Sequence, residues 1–231
     1  MGLGALAIAA LGRRAPQGER YHFVMSGAVC AIAFVAYYAM ANGYGIVHTG
    51  GRLEFFARYV DWALTTPLLI GGLILIGLPA GRAGDDVRSR STLLYGAIGA
   101  DVFMILTGLF AGLSNNNPVK YGFYAISCLA FLVVLGVIWG PVRAAATARG
   151  GDAAALYGRL TSLLTTLWFV YPVLWILGTE GTKVFSLTLE IVVFAVIDLT
   201  AKVAFGLLLC SGVIRQGQSA ISPTRAKAAL A

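Results

Sequence analysis

The sequence predicts an all-α membrane protein, a bundle of seven transmembrane helices of which the first is short. Of 231 residues, 58% are hydrophobic and only 12% are charged, whereas a soluble domain is nearer half apolar and a quarter charged. Six apolar runs, near 21–47, 55–79, 92–113, 118–141, 156–178 and 184–213, are each long enough to cross a bilayer as a helix. Before them, Met1 to Leu11 is apolar but at about 1.5 Å per residue spans only half a bilayer. It lacks the charged start and cleavage site of a signal peptide, so it reads as the inner half of a seventh helix, with the natural start expected upstream.

The formal charge of +7 is not gathered into a nucleic-acid patch. It alternates by loop. Arg13, Arg14 and Arg20 fall in the first loop, Arg82, Arg88 and Arg90 in the third, Arg143, Arg149 and Arg159 around the fifth, and Arg215, Arg225 and Lys227 in the tail. The intervening loops carry Arg52, Lys120 and Lys183 alone. The positive-inside rule then places the tail in the cytoplasm and the amino terminus outside, in a cell (plasma or inner) membrane. Residues 1–214 read as one transmembrane domain and 215–231, polar and basic, as a disordered tail. Cys30, Cys128 and Cys210 lie within apolar runs and read as small core residues rather than a disulfide framework. No phosphate loop, metal-ligand cluster or Ser/His/Asp arrangement appears, so neither an enzyme, a metal site nor a soluble substrate is indicated. An internal repeat of the transporter kind is also missing.

Taken in order, the loop GRRAPQGER is short and turn-rich, which makes the first two helices antiparallel neighbours. The second carries Tyr37 and Tyr44 on one face, positions more often filled for packing than for binding. His48, Gly50 and Gly51 follow in a loop, and His48 is given no role. The third run, RYVDWALTTPLLIGGLILIGLPA, places Arg58, Asp61 and Thr65 in its outer half, with Asp61 and Thr65 one turn apart. Gly72, eleven residues beyond Asp61, returns to the same face about 16 Å deeper. A pair of Asp61 with Arg58 would account for both charges by packing alone. Pro67 is tolerable where neighbours re-satisfy the freed carbonyl.

The fourth run holds Asp101, read as a hydrogen bond to a neighbouring helix, with Met104 and Gly108 beyond it. The fifth offers the stripe Phe123, Tyr124, Ser127 and Phe131, then GPVRAAATARGGD, read as a connector. In the sixth, Trp168, Tyr171, Pro172 and Trp175 fall at i, i+3, i+4 and i+7 around a proline kink. Lipid gives such a face no hydrophobic drive to pack, so an elongated apolar ligand between the rings explains it better. Glu180 and Glu190 then put two carboxylates near one mouth.

The last run, EIVVFAVIDLTAKVAFGLLLC, is apolar except for Asp198, Thr200 and Lys202. Each charge at membrane depth costs about 3 kcal/mol on insertion scales, so such residues pair and carry a task. Asp198 and Lys202, four apart, share a face and can pair. A structural ion pair, and a lysine condensed with an aldehyde beside its counterion, both stand open on this segment alone.

RYVDWALTTP, WFVYPVLW and DLTAK, in that order, closely resemble the microbial rhodopsins, and the likeness runs from residue 1 to about 213. The resemblance implies all-trans retinal bound to Lys202 as a protonated Schiff base, Asp61 as proton acceptor and Asp198 as second counterion. Arg58, Tyr37 and Tyr171 would complete the counterion network. Trp62, Thr66, Leu69, Met104, Gly108, Ser127, Trp168, Tyr171, Pro172 and Trp175 would line the retinal pocket, with Tyr124 in place of a tryptophan on its wall. Thr65 would hydrogen-bond the acceptor, and Glu180 with Glu190 would form the proton-release pair. The function implied is a light-driven outward proton pump. Gly72 stands where a carboxylate proton donor is found in archaeal pumps, which resembles a bacterial Asp-Thr-Gly subgroup. Reprotonation is then expected to slow as pH rises. A phototaxis sensor working through a transducer is the alternative, although Ala201 stands where similar sensors carry a threonine. The expected partners are the lipid bilayer, protons and further copies of the chain in a trimer or pentamer.

Overall fold

A computed structural model of the chain describes residues 1–78 and 87–221. Arg82, Arg225, Lys227 and the tail beyond residue 221 lie outside the described residues. The helices, in chain order, are α1 (Gly2–Leu11), α2 (Arg20–Ala41), α3 (Phe56–Gly77), α4 (Val87–Leu113), α5 (Asn117–Val137), α6 (Arg143–Arg149), α7 (Gly151–Leu177), α8 (Leu187–Leu199) and α9 (Phe205–Ile221). They form seven rods, because α5 runs into α6 and α8 into α9 through single wide π turns at Ile138–Val142 and Thr200–Ala204. Six of the rods are long and apolar enough to cross a membrane, and α1 is the short seventh. Large apolar side chains such as Leu3, Val24, Tyr95, Leu129 and Val173 are exposed on the outside of the bundle. On a membrane protein that surface is met by lipid, not water.

Two sequence expectations change. The connector after the fifth run is helical: its Ala-rich stretch continues as α6 after a kink at Gly140–Pro141, and ends where Gly150 takes a positive φ of 66°. The tail expected from 215 is, through Ile221, a continuation of α9.

Between α2 and α3 the chain also builds a hairpin, β1 (Val47–Thr49) paired antiparallel with β2 (Arg52–Glu54). Its turn, Gly50–Gly51, has positive φ at both residues, which only glycine adopts freely. Arg52 pins the hairpin to the end of α4 by donating to the carbonyls of Gly112 and Ser114. Thr49 adds a bond to Leu113 O at 3.3 Å.

Candidate functional site

The centre of the bundle divides into three zones along its length. In the middle, Lys202 is buried, and its Nζ donates to Asp61 Oδ2 at 2.7 Å and lies 3.1 Å from Asp198 Oδ1. Asp198 and Lys202 are i and i+4 on one rod, and the π turn at Thr200–Ala204 carries the lysine. Such wide turns are frequent at functional positions. Asp61 comes from α3, so two helices bring opposite charges together at a buried site. The Asp198 carboxylate is also held by Tyr37 Oη at 2.6 Å, Tyr171 Oη at 2.5 Å and Trp62 Nε1 at 3.2 Å. Four elements therefore converge on one acceptor. Thr65 stands beside Asp61, its hydroxyl donating to the Asp61 main-chain carbonyl at 2.8 Å.

An apolar cavity opens from the lysine amine. It is lined by Trp62, Thr66, Leu69, Met104, Gly108, Tyr124, Ser127, Trp168, Tyr171, Pro172, Trp175 and Lys202, so the pocket residues expected from sequence are all brought together. Cys128 joins them on the wall, a position the sequence left as core. Tyr124 stacks on Trp175 with ring centroids 4.5 Å apart and donates to Pro172 O at 3.0 Å, which ties α5 to the proline inside α7. Ser127 donates to Met104 O at 2.8 Å, and Thr66 to Asp101 Oδ2 at 2.7 Å. Asp101 is therefore the interhelical hydrogen bond that its sequence position suggested.

Toward the hairpin end, the interior stays polar. Arg58 is buried and reaches Glu190 Oε1 at 3.5 Å, with its guanidinium 4.0 Å from the Phe194 ring centroid. The packing partner considered for it, Asp61, is instead taken by Lys202. Glu190 accepts from Thr179 N and Oγ1 at 2.8 and 2.9 Å. Glu180 accepts from Tyr59 Oη at 3.2 Å, and Tyr59 in turn accepts from Trp175 Nε1 at 2.9 Å. The Glu180 carboxyl meets that of Glu54, a fully buried residue at the end of β2 that sequence reasoning missed. Glu180 and Glu190 lie in one cluster, as expected, but the carboxyl against Glu180 is Glu54.

Toward the opposite end the interior is apolar. Leu69, Leu73, Ile76, Leu164, Phe205, Leu209 and Val213 are buried there in one cluster. Gly72 sits in this zone, and a Cβ on it would stand 3.4 Å from Leu209 Cδ1, an ordinary contact. Beyond the plug lies a cavity lined by Glu19, His22, Ile76, Arg149 and Gln216 among others. His22 was also missed: it is 1% exposed, its Nε2 is 3.3 Å from Glu19 Oε2, and its Nδ1 has no partner among the described residues. The run HFVMSG gave no signal for it beyond one histidine at the start of an apolar stretch.

This order, a lysine between two buried carboxylates with an aromatic pocket beside it, agrees with what the chain is similar to. Residues 1–216 match the family described as bacteriorhodopsin-like protein. The chain belongs to the bacteriorhodopsin-like family. Bacteriorhodopsin of Haloterrigena sp. (strain arg-4) is 40% identical over 215 residues, covering 90% of this chain and 82% of that one. Sensory rhodopsin-2 of Natronomonas pharaonis is 35% identical over 206 residues, covering 89% and 82%. Among solved structures, a thermophilic rhodopsin from Rubrobacter xylanophilus superposes with a TM-score of 0.88 at 40% identity, covering 94% of this chain and 93% of that one. A light-driven proton pump from Coccomyxa subellipsoidea gives 0.80 at 37% identity, covering 90% and 89%. Membership of the bacteriorhodopsin-like family makes the chain a multi-pass retinal protein. The apolar cavity ending on a buried amine fits that cofactor.

Proposed function

We propose that the protein is a light-driven outward proton pump, not an enzyme, that carries all-trans retinal as a protonated Schiff base on Lys202. The observation that carries this reading is the Lys202 nitrogen held between Asp61 and Asp198 at the junction of a polar and an apolar half. Retinal supplies light absorption and an isomerisation that displaces the nitrogen's proton from its resting partners. The chain's own residues do the rest. Asp61, at 2.7 Å, is placed to accept that proton. Asp198 is held by two tyrosines and a tryptophan and so stays the fixed anion. Arg58 stands between Asp61 and the glutamates, where its charge answers a change at either. The ring-lined cavity fixes an elongated apolar chromophore and keeps water away from it.

Direction follows from the asymmetry. The polar side offers the carboxylates Glu190, Glu180 and Glu54 as proton acceptors in steps around the Arg58 cation, while the apolar plug opposes back-flow. Under the positive-inside rule the hairpin end faces outward and the tail faces the cytoplasm of a cell membrane. With Gly72 in the donor position, in the manner of an Asp-Thr-Gly subgroup, the proton returns from the cytoplasmic cavity under His22 and Glu19. The chain is expected to act in the lipid bilayer as a trimer or pentamer. Flash absorption spectroscopy tests the reading: recovery of the nitrogen's proton should slow as pH rises, and Asp61→Asn should abolish net transport. A recovery rate that is flat with pH would contradict the missing donor. A photocycle without net transport would favour the sensor.

A further inference from the structure

The end of the bundle opposite the hairpin carries a polar cavity that no step of the transport reading uses. It measures about 480 Å³, a size usual for small-molecule sites, and lies between the first turns of α7 and the last turns of α9. Its apolar lining is the place where the two helices touch. A Cβ on Gly212 would stand 2.5 Å from Leu156 Cδ1, so only glycine allows so close an approach there. The rest of the lining is polar: Asp152 and Arg159 from α7, with Arg215, Gln216 and Gln218 from α9. Gln216 Nε2 donates to the Asp152 main-chain carbonyl at 3.3 Å and ties the two helices together at this level.

The charges of the lining do not cancel. Two guanidiniums stand against one carboxylate, which leaves a surplus of one positive charge. Arg52, Arg58 and Arg149 each hold a carbonyl or a carboxylate. Arg159 and Arg215 do not: among the described residues neither takes part in an ion pair or a hydrogen bond, not even with Asp152. Two planar forks on two helices, both unspent, suit an anion whose oxygens point in several directions. A phosphate group does so, and guanidinium forks match its oxygens in pairs. A cation is opposed by the surplus charge, and a neutral apolar ligand would strip water from both arginines without replacing it.

We propose that this cleft binds a phosphate group between Arg159 and Arg215, which clamps α7 to α9. Two sources share that chemistry, the headgroup of an anionic phospholipid and free phosphate. The positive-inside rule sets the cleft at the level of the cytoplasmic headgroups, where basic pockets between helices take up anionic lipids. The inference is independent of proton transport.

The test uses the full-length retinal-bound protein, reconstituted in vesicles of equal parts phosphatidylglycerol and phosphatidylcholine and extracted in mild detergent. Native mass spectrometry counts the lipid retained. The native protein should keep phosphatidylglycerol in preference to phosphatidylcholine, and Arg159→Gln with Arg215→Gln should lower that ratio about tenfold, as for the loss of a charge-assisted bond. Arg13→Gln with Arg14→Gln removes the same charge from the same side of the membrane but outside the cleft, and should leave the ratio unchanged. An equal fall in both pairs would overturn the proposal, because surface charge alone would then account for the binding. Inorganic phosphate, added at constant ionic strength, separates the two sources. If free phosphate is the ligand, it should raise the temperature at which visible absorption is lost in the native protein and not in Arg159→Gln with Arg215→Gln, with no preference between the lipids. Both arginines are exposed, so the variants are expected to fold, and their visible absorption checks it. A native protein that shows neither a lipid preference nor a response to phosphate would overturn the proposal without any variant.

Discussion

Asp198→Asn tests how the centre is held. The carboxylate accepts from Tyr37 at 2.6 Å, Tyr171 at 2.5 Å and Trp62 at 3.2 Å, and neutralises Lys202 at 3.1 Å. Bonds to a charged acceptor are about twice as strong as neutral ones, so each of the three drops from about 2 to about 1 kcal/mol. The sum, about 3 kcal/mol, agrees with the cost of breaking a buried pair. It corresponds to about two decades in the folded-to-unfolded ratio. The assay is titration of the retinal-bound protein with a denaturing detergent, followed by visible absorption. Tyr171→Phe should cost about 2 kcal/mol in the native background but about 1 in Asp198→Asn, a coupling of about 1 kcal/mol. Additive costs, or a loss under about 1 kcal/mol for Asp198→Asn, would refute a charge-assisted network.

Thr66→Val leaves the buried Asp101 carboxyl without its donor, since Asp101 Oδ1 already lacks one among the described residues. It should cost about 2 kcal/mol in the same titration, and Thr66→Val with Asp101→Leu should recover part of that. Gly72→Asp fits, because a Cβ there makes only ordinary contact with Leu209. It should speed recovery at alkaline pH in flash absorption, and no change would argue against a vacant donor position. His22→Ala tests the inner cavity by the same kinetics: slower recovery is expected if protons collect beside Glu19, and an unchanged rate would assign the histidine to packing.

What could be read from sequence follows the reach of each signal. Asp198 and Lys202 are four residues apart, and helix geometry alone puts them together. The aromatic face of Trp168, Tyr171 and Trp175 was legible for the same reason. Asp61 is 141 residues from Lys202, and nothing local joins them. Only the resemblance anticipated that contact. Glu54 had no such help: a single glutamate after a glycine turn reads as solvated, and its burial depends on a hairpin pinned to a distant helix end through Arg52. The Arg58–Glu190 bond was hidden by a nearer carboxylate, Asp61, which the lysine claims instead. The helical connector Arg143–Arg149 was obscured by the Gly140–Pro141 kink before it and the glycines after it, which read as a loop although the alanines between them favour helix.

The most direct test of the central claim is the light-induced pH change of an unbuffered suspension of cells that make the protein and are given retinal, with and without an uncoupler. The account predicts external acidification on illumination that the uncoupler abolishes and that Asp61→Asn lacks. A coloured, correctly folded protein that leaves the external pH unchanged would contradict it.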